Sequence, residues 1–301
     1  MAAKKKAPVI LFLLMSVIGT GIMLYPAVSE QVNSKYQTRA IAAYLSDIYE
    51  TSSEKLEEVM ADAARFNELL QKLNVRYSDS DLKDVYKKTL RLDASDVIAY
   101  IEIPKIDVYL PIFHGTDKAV LQAGVGHLEG TSLPVGGENT HAALSGHRGL
   151  PSAKLFTNLD KLQNGDVFIV RVLNKSLYYE VDQIDVVLPE QVDKLAVEPG
   201  RDLMTLITCT PYAVNTHRLL VRGTRITDME LPEESIPLGA PEELYDWRNE
   251  PFKLPLQSQI LLASAALAFV IKIILELRRK RLRDDYPQQS PKPDIRRSRL
   301  A

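Results

Sequence analysis

Between Val97 and Arg225 the chain breaks into eight short runs rich in β-branched and aromatic residues, each bounded by turn-forming residues. They fall at 99–104, 108–112, 141–145, 166–172, 177–181, 184–188, 202–208 and 218–225, with only short helical stretches such as 154–162 between them. Strands spaced this closely over about 130 residues read as a mainly β domain, a closed barrel or a sandwich. The domain is assigned to 97–226.

Upstream, 30–96 reads as a helical extension. Leu56, Val59, Met60, Ala63, Phe66, Leu69, Leu70 and Leu73 recur at three- and four-residue spacing, with Glu and Lys on the other face. Ser52 or Ser53 is placed to cap this helix. The pattern then weakens into Ser78-Asp79-Ser80-Asp81 and resumes as a short helix over 82–90.

Both ends carry apolar runs. A basic tip, 1–6, ends in Lys4-Lys5-Lys6 and precedes an uncharged run from Ala7 to Val28. About 20 apolar residues span a bilayer, so 7–29 reads as a membrane segment or signal anchor. The alternative is a cleaved signal peptide, for which Ala27-Val28-Ser29 supplies small residues. A second run, 260–275, predicts a transmembrane helix over 258–277, with Lys272 near enough to its end to snorkel. Its alternative is an amphipathic helix on the soluble domain. Arg278-Arg279-Lys280-Arg281 begins a basic tail, 278–301, whose Pro287, Pro291 and Pro293 read as disorder from 284. The segment 227–257 reads as a linker back to the membrane. Basic clusters outside both runs put both termini in the cytoplasm and the intervening domain outside. A net charge of −2 gives no global basic field for nucleic acid.

Cys209 is the only cysteine, so no internal disulfide forms. It closes the run Thr205-Leu206-Ile207-Thr208-Cys209, and Arg218 opens the next. A thiol needs an imidazole or a cation to favour thiolate, and donors to hold an oxyanion once a carbonyl is attacked. Arg218 can supply the charge. Of the five histidines, His147 lies in a glycine-flanked loop after a β-run, where a ring is exposed at a rim. His141 lies deeper in that run, His127 in a Gly-rich connection, and His217 points away from the face of Arg218. Thr208 and Thr210 flank the thiol as hydrogen-bonding or substrate-positioning candidates, or as ordinary strand threonines. No metal-ligand spacing is present, and neither metal nor cofactor is expected.

The stretch Thr205-Leu-Ile-Thr-Cys209 with Arg218 downstream resembles the signature of sortases. So do Leu144-Ser-Gly-His147-Arg-Gly-Leu-Pro-Ser-Ala-Lys-Leu-Phe156, Gly124-Val-Gly-His-Leu-Glu-Gly-Thr-Ser-Leu-Pro134, Ile103-Pro104-Lys105-Ile106 and Leu110-Pro-Ile-Phe-His-Gly-Thr116. The long extension and the second apolar run resemble class C, the pilin-polymerising sortases. The resemblance implies an eight-stranded sortase barrel with Cys209 and Arg218 on adjacent strands and His147 facing them. It further implies a membrane-anchored, extracellular transpeptidase that cleaves LPxTG-like sorting signals of pilin and surface-protein substrates between Thr and Gly, then transfers the acyl group to a pilin lysine.

Class C lids carry an Asp-Pro-aromatic motif that this extension lacks. Val75-Arg76-Tyr77-Ser78 falls in its place, keeping an aromatic and losing the acid, so a lid over 75–81 would rest on Tyr77 and on Asp79 or Asp81. A housekeeping sortase acting on a cell-wall amine and a membrane-anchored thiol peptidase share the same three catalytic residues. A non-enzymatic adhesin predicts an inert thiol.

Overall fold

The protein's structure, a computed structural model, describes residues 7–73, 80–92 and 95–226, with isolated positions between 259 and 281. In chain order its helices are α1 (Ala7–Glu50), α2 (Ser53–Leu73), α3 (Ser80–Lys88) and α4 (Lys118–Ala123). Its strands are β1 (Val97–Ile103), β2 (Val108–His114), β3 (Val125–His127), β4 (Thr140–Ser145), β5 (Val167–Val172), β6 (Lys175–Val187), β7 (Asp202–Thr210) and β8 (His217–Arg225). Backbone contacts divide the chain into Tyr25–Phe252, which holds the barrel, and a second unit of Met1–Leu24 with Lys253–Ala301.

The strands close in the order β1-β2-β3-β4-β7-β8-β6-β5. The β2–β3 and β4–β7 pairs are parallel and the others antiparallel. Closure leaves no exposed sheet edge along the paired length. Leu144, Leu206 and Val221 meet across β4, β7 and β8 and are fully buried, as are Phe168 and Tyr179, which stack at 5.5 Å across β5 and β6.

The sequence runs and the strands differ in two places. The runs 177–181 and 184–188 belong to one strand, β6, whose register shifts between Val181 and Gln183. Asp182 sits in that shift and binds Arg222, Arg201 and Thr224. The eighth strand is β3, where a Gly-rich connection was expected. A side chain on Gly126 would collide with the Gly115 carbonyl, so close strand approach requires glycine there. The helical stretch expected at 154–162 is reduced to a 3-10 turn, Leu159–Lys161. The helix α4 was not anticipated.

The extension packs on the barrel through the predicted face of α2. Leu56, Val59, Met60, Ala63 and Phe66 are buried, whereas Leu69 is 40% exposed. Ser52 Oγ accepts the Lys55 N–H at 3.3 Å, as an N-cap does. Asn67 bonds both backbone groups of Leu133. On α3, the Tyr86 hydroxyl accepts the Gly115 N–H at 2.9 Å and lies 2.8 Å from His127 Nδ1. His127 Nε2 faces the Ser132 carbonyl, so Nε2 carries the proton and Nδ1 accepts from Tyr86. Burial holds this imidazole down at about 4.

Tyr44 of α1 ties the extension to two strands. Its buried hydroxyl donates to the Ile98 carbonyl at 3.0 Å and accepts the Leu173 N–H at 2.7 Å. Burial pushes this phenol well above its ordinary value, so it stays protonated and can make both bonds. Tyr44→Phe strands two buried backbone groups and is expected to destabilise the fold by about 2 kcal/mol, read from chemical denaturation. A change below about 0.5 kcal/mol would mean that water replaces the hydroxyl.

Among the described residues, no helix is long and apolar enough to cross a membrane. Of the apolar run beginning at Ala7, α1 side chains are described from Leu14 onward. Most of 258–277 lies outside the described residues, as do the linker 227–257 and nearly all of the tail.

Candidate active site

Strand β7 brings the candidate residues together, because it lies between β4 and β8. Cys209 pairs directly with Arg218 across the antiparallel β7–β8 ladder, so the two side chains project from the same face. The Arg218 guanidinium is braced by the carbonyls of Asn215 and His217, at 3.3 and 3.1 Å. Cys209 is a free thiol, partly exposed.

On the other flank of β7, parallel β4 ends at Ser145, opposite Ile207. Gly146 extends that ladder by donating to the Ile207 carbonyl at 3.0 Å, and its own carbonyl accepts the Thr208 hydroxyl at 2.7 Å. Any side chain on Gly146 would meet the Phe156 ring at 2.6 Å, so only glycine lets the chain pass this close to the ring. His147 follows at once, half-buried, with its carbonyl accepting the Phe156 N–H. The loop after it is gripped from α1. Asn33 donates to the Ser152 carbonyl at 2.7 Å, and the Glu30 carboxylate accepts the Lys154 N–H. Burial raises the Glu30 pKa, and its contacts with Lys154 oppose that rise.

Burial lowers the pKa of the His147 imidazole below its ordinary value of 6.5. The other histidines are otherwise engaged. His127 is locked beneath α3, and His114 is held down at about 4, chiefly by burial. His217 lies beside the Thr216 hydroxyl, at 2.9 Å. His141 Nδ1 donates to the Ala196 carbonyl, which leaves Nε2 to accept from Thr205. The Thr208 hydroxyl donates to the Gly146 carbonyl, and the Thr210 hydroxyl accepts from Arg148. Tyr77 and Asp79 lie outside the described residues.

The face of β7 that carries Cys209 is floored by Ile207, Leu220, Val187 and Ala143, with Leu128 and Leu195 packed against them. Leu128 and Leu195 also border a cavity of about 770 Å³ whose lining is mixed, with Val192, His141, Glu129 and Gln71 among its residues. The β6–β7 loop that walls it is anchored at its far end. Arg201 and Arg222 each bridge Asp182 and Glu198. Burial opposes ionisation of Asp182, but hydrogen bonds from Arg222, Thr224 and Arg201 outweigh it and hold this carboxyl at about 2. The β7–β8 ladder thus pairs the thiol with the guanidinium, and the hydrogen bonds of Gly146 and Thr208 hold the loop that carries the imidazole beside β7. Sequence reasoning missed the cavity and the buried apolar cluster beneath it. The cluster's one signal was the apolar residue two before the cysteine, Ile207, on a strand buried on both faces.

Comparison with known proteins agrees with this geometry. A family model described as Sortase domain matches residues 101–226. Sortase A of Streptococcus agalactiae serotype III (strain NEM316) is 34% identical over 131 residues, which cover 42% of this chain and about half, 52%, of that protein's length. The crystal structure of sortase C1 from Streptococcus agalactiae superposes with a TM-score of 0.61 and 44% identity, covering 64% of this chain and all of that one. A structure of Clostridium perfringens sortase C, solved with the C-terminal cell wall sorting motif, gives a TM-score of 0.55 and 44% identity over 62% of this chain and 97% of that one.

Proposed function

This chain belongs to the sortase family, with class C sortases among its structural neighbours, and from that premise we propose that it is a membrane-anchored cysteine transpeptidase that polymerises pilins. One observation carries the reading. Cys209 faces Arg218 across β7–β8, and the loop bearing His147 is hydrogen-bonded to β7 beside them.

In the proposed reaction the Cys209 thiolate attacks the threonine carbonyl of an LPxTG-like sorting signal. The S–C bond forms as the Thr–Gly C–N bond breaks, and His147 gives the departing glycine amine its proton. A lysine amine of the next pilin then attacks the thioester. The new C–N bond forms, the C–S bond breaks, and His147 takes up the amine's proton. Arg218 holds positive charge where the oxyanion develops. Membrane anchoring at 7–29 and 258–277, with both termini cytoplasmic, rests on the apolar runs and their outer basic clusters.

The test incubates the full-length chain with a pilin that carries its sorting signal. A ladder of covalent oligomers resistant to denaturant is the expected outcome. Cleavage without a ladder, in the presence of the pilin lysine, would favour hydrolysis or transfer to a cell-wall amine.

A further inference from the structure

We infer that Arg148 is a positioning residue for this reaction, clamping the residue after the nucleophile to the residue after the histidine. The inference rests on the reading of Cys209 and His147 given above. Arg148 directly follows His147, and Thr210 directly follows Cys209. Arg148 Nη1 donates to Thr210 Oγ1 at 3.2 Å, and Nη2 donates to Asp160 Oδ2 at 2.5 Å, beside the 3-10 turn that underlies the loop. The guanidinium also lies over the Tyr212 ring, 5.9 Å from its centroid. One planar fork therefore joins the β4 loop, the 3-10 turn and the start of the β7–β8 connection.

Stability alone does not account for this placement. The Arg148 side chain is only 9% exposed, whereas its partner Asp160 is 46% exposed, and an ion pair with one partner in solvent stabilises little. Arg148 Nε is buried with no hydrogen-bond partner among the described residues, an arrangement that costs stability. The cation is desolvated for a weak pair, a neutral hydroxyl and a Tyr212 ring that is itself exposed. What the geometry secures is the distance between the backbones that carry the thiol and the imidazole. Neither Arg148 hydrogen bond reaches Cys209 or His147 directly, so the residue acts through its neighbours.

The experiment compares the full-length chain with Arg148→Gln, Arg148→Lys and Thr210→Val, using a quenched fluorescent peptide that contains Leu-Pro-Glu-Thr-Gly. Turnover is normalised to the Cys209 thiols titrated by iodoacetamide, and the folded fraction of each variant is read by circular dichroism, which separates misfolding from slow turnover. Arg148→Gln is expected to lower kcat per thiol by roughly 10- to 100-fold with KM within about 3-fold, as a misplacement near 1 Å does. Arg148→Lys keeps the charge without the fork and is expected to recover little of that loss. Thr210→Val, nearly isosteric, is expected to lower kcat by about 3- to 10-fold, and it remains informative if the arginine variants fail to fold. A wild-type kcat per thiol in Arg148→Gln or in Thr210→Val, or full recovery by lysine, would overturn the inference. A wild-type chain that leaves the peptide intact would overturn the transpeptidase reading and this inference with it.

Discussion

Cys209→Ala is expected to abolish both peptide cleavage and oligomer formation, a loss of about 10⁴-fold or more, because no other group in the chain can form the acyl-enzyme. The lone thiol makes the result unambiguous. Wild-type protein quenched during turnover should show, by mass spectrometry, one added acyl fragment at Cys209, and the variant none. Cys209→Ser should resemble Cys209→Ala, since a hydroxyl in the same position ionises far less readily than a thiol. Turnover retained by Cys209→Ala would remove the thioester from the mechanism altogether.

His147→Gln should lower kcat/KM by about 10²- to 10⁴-fold at neutral pH, the usual contribution of one general acid–base. Its pH signature is as informative as its size. Burial disfavours the imidazolium, so His147 releases its proton below 6.5. The inflection that this group contributes to the kcat/KM profile therefore lies on the acid side of 6.5, and it should vanish in His147→Gln. An inflection at or above 6.5, or one that survives the substitution, would assign the acid–base role to another group. His141 and His127 are poor substitutes, since both are buried with both ring nitrogens committed to protein partners, and His114 is partly buried and held down at about 4.

The barrel was legible because its strands announce themselves through β-branched runs and turn residues. The places where the reading failed have local causes. β3 is three residues long and half-flanked by glycines, so it carries too little pattern to register as a strand. β6 looked like two strands because a register shift around Asp182 interrupts its alternation. Sequence spacing could bring Cys209 and Arg218 onto neighbouring strands, and the ladder pairs them residue for residue. It could not reveal that parallel β4 would be the other neighbour of β7, because that contact joins segments far apart in the chain. For the same reason Arg148, an ordinary charged loop residue in sequence, gave no sign of reaching Thr210.

That parallel β4–β7 contact also governs when the site comes into existence. A parallel pair cannot zip from a hairpin, so β4 and β7 meet only by closing the whole segment of β5, β6 and their connections between them. Closing so long an intervening segment carries an entropic cost that only later contacts recover, which makes such pairings slow steps in folding. The β7–β8 hairpin can bring the thiol and guanidinium together early, while the imidazole loop arrives only when the barrel shuts. On the mechanism proposed above, a chain that has formed only the β7–β8 hairpin holds its thiol and guanidinium without the imidazole loop.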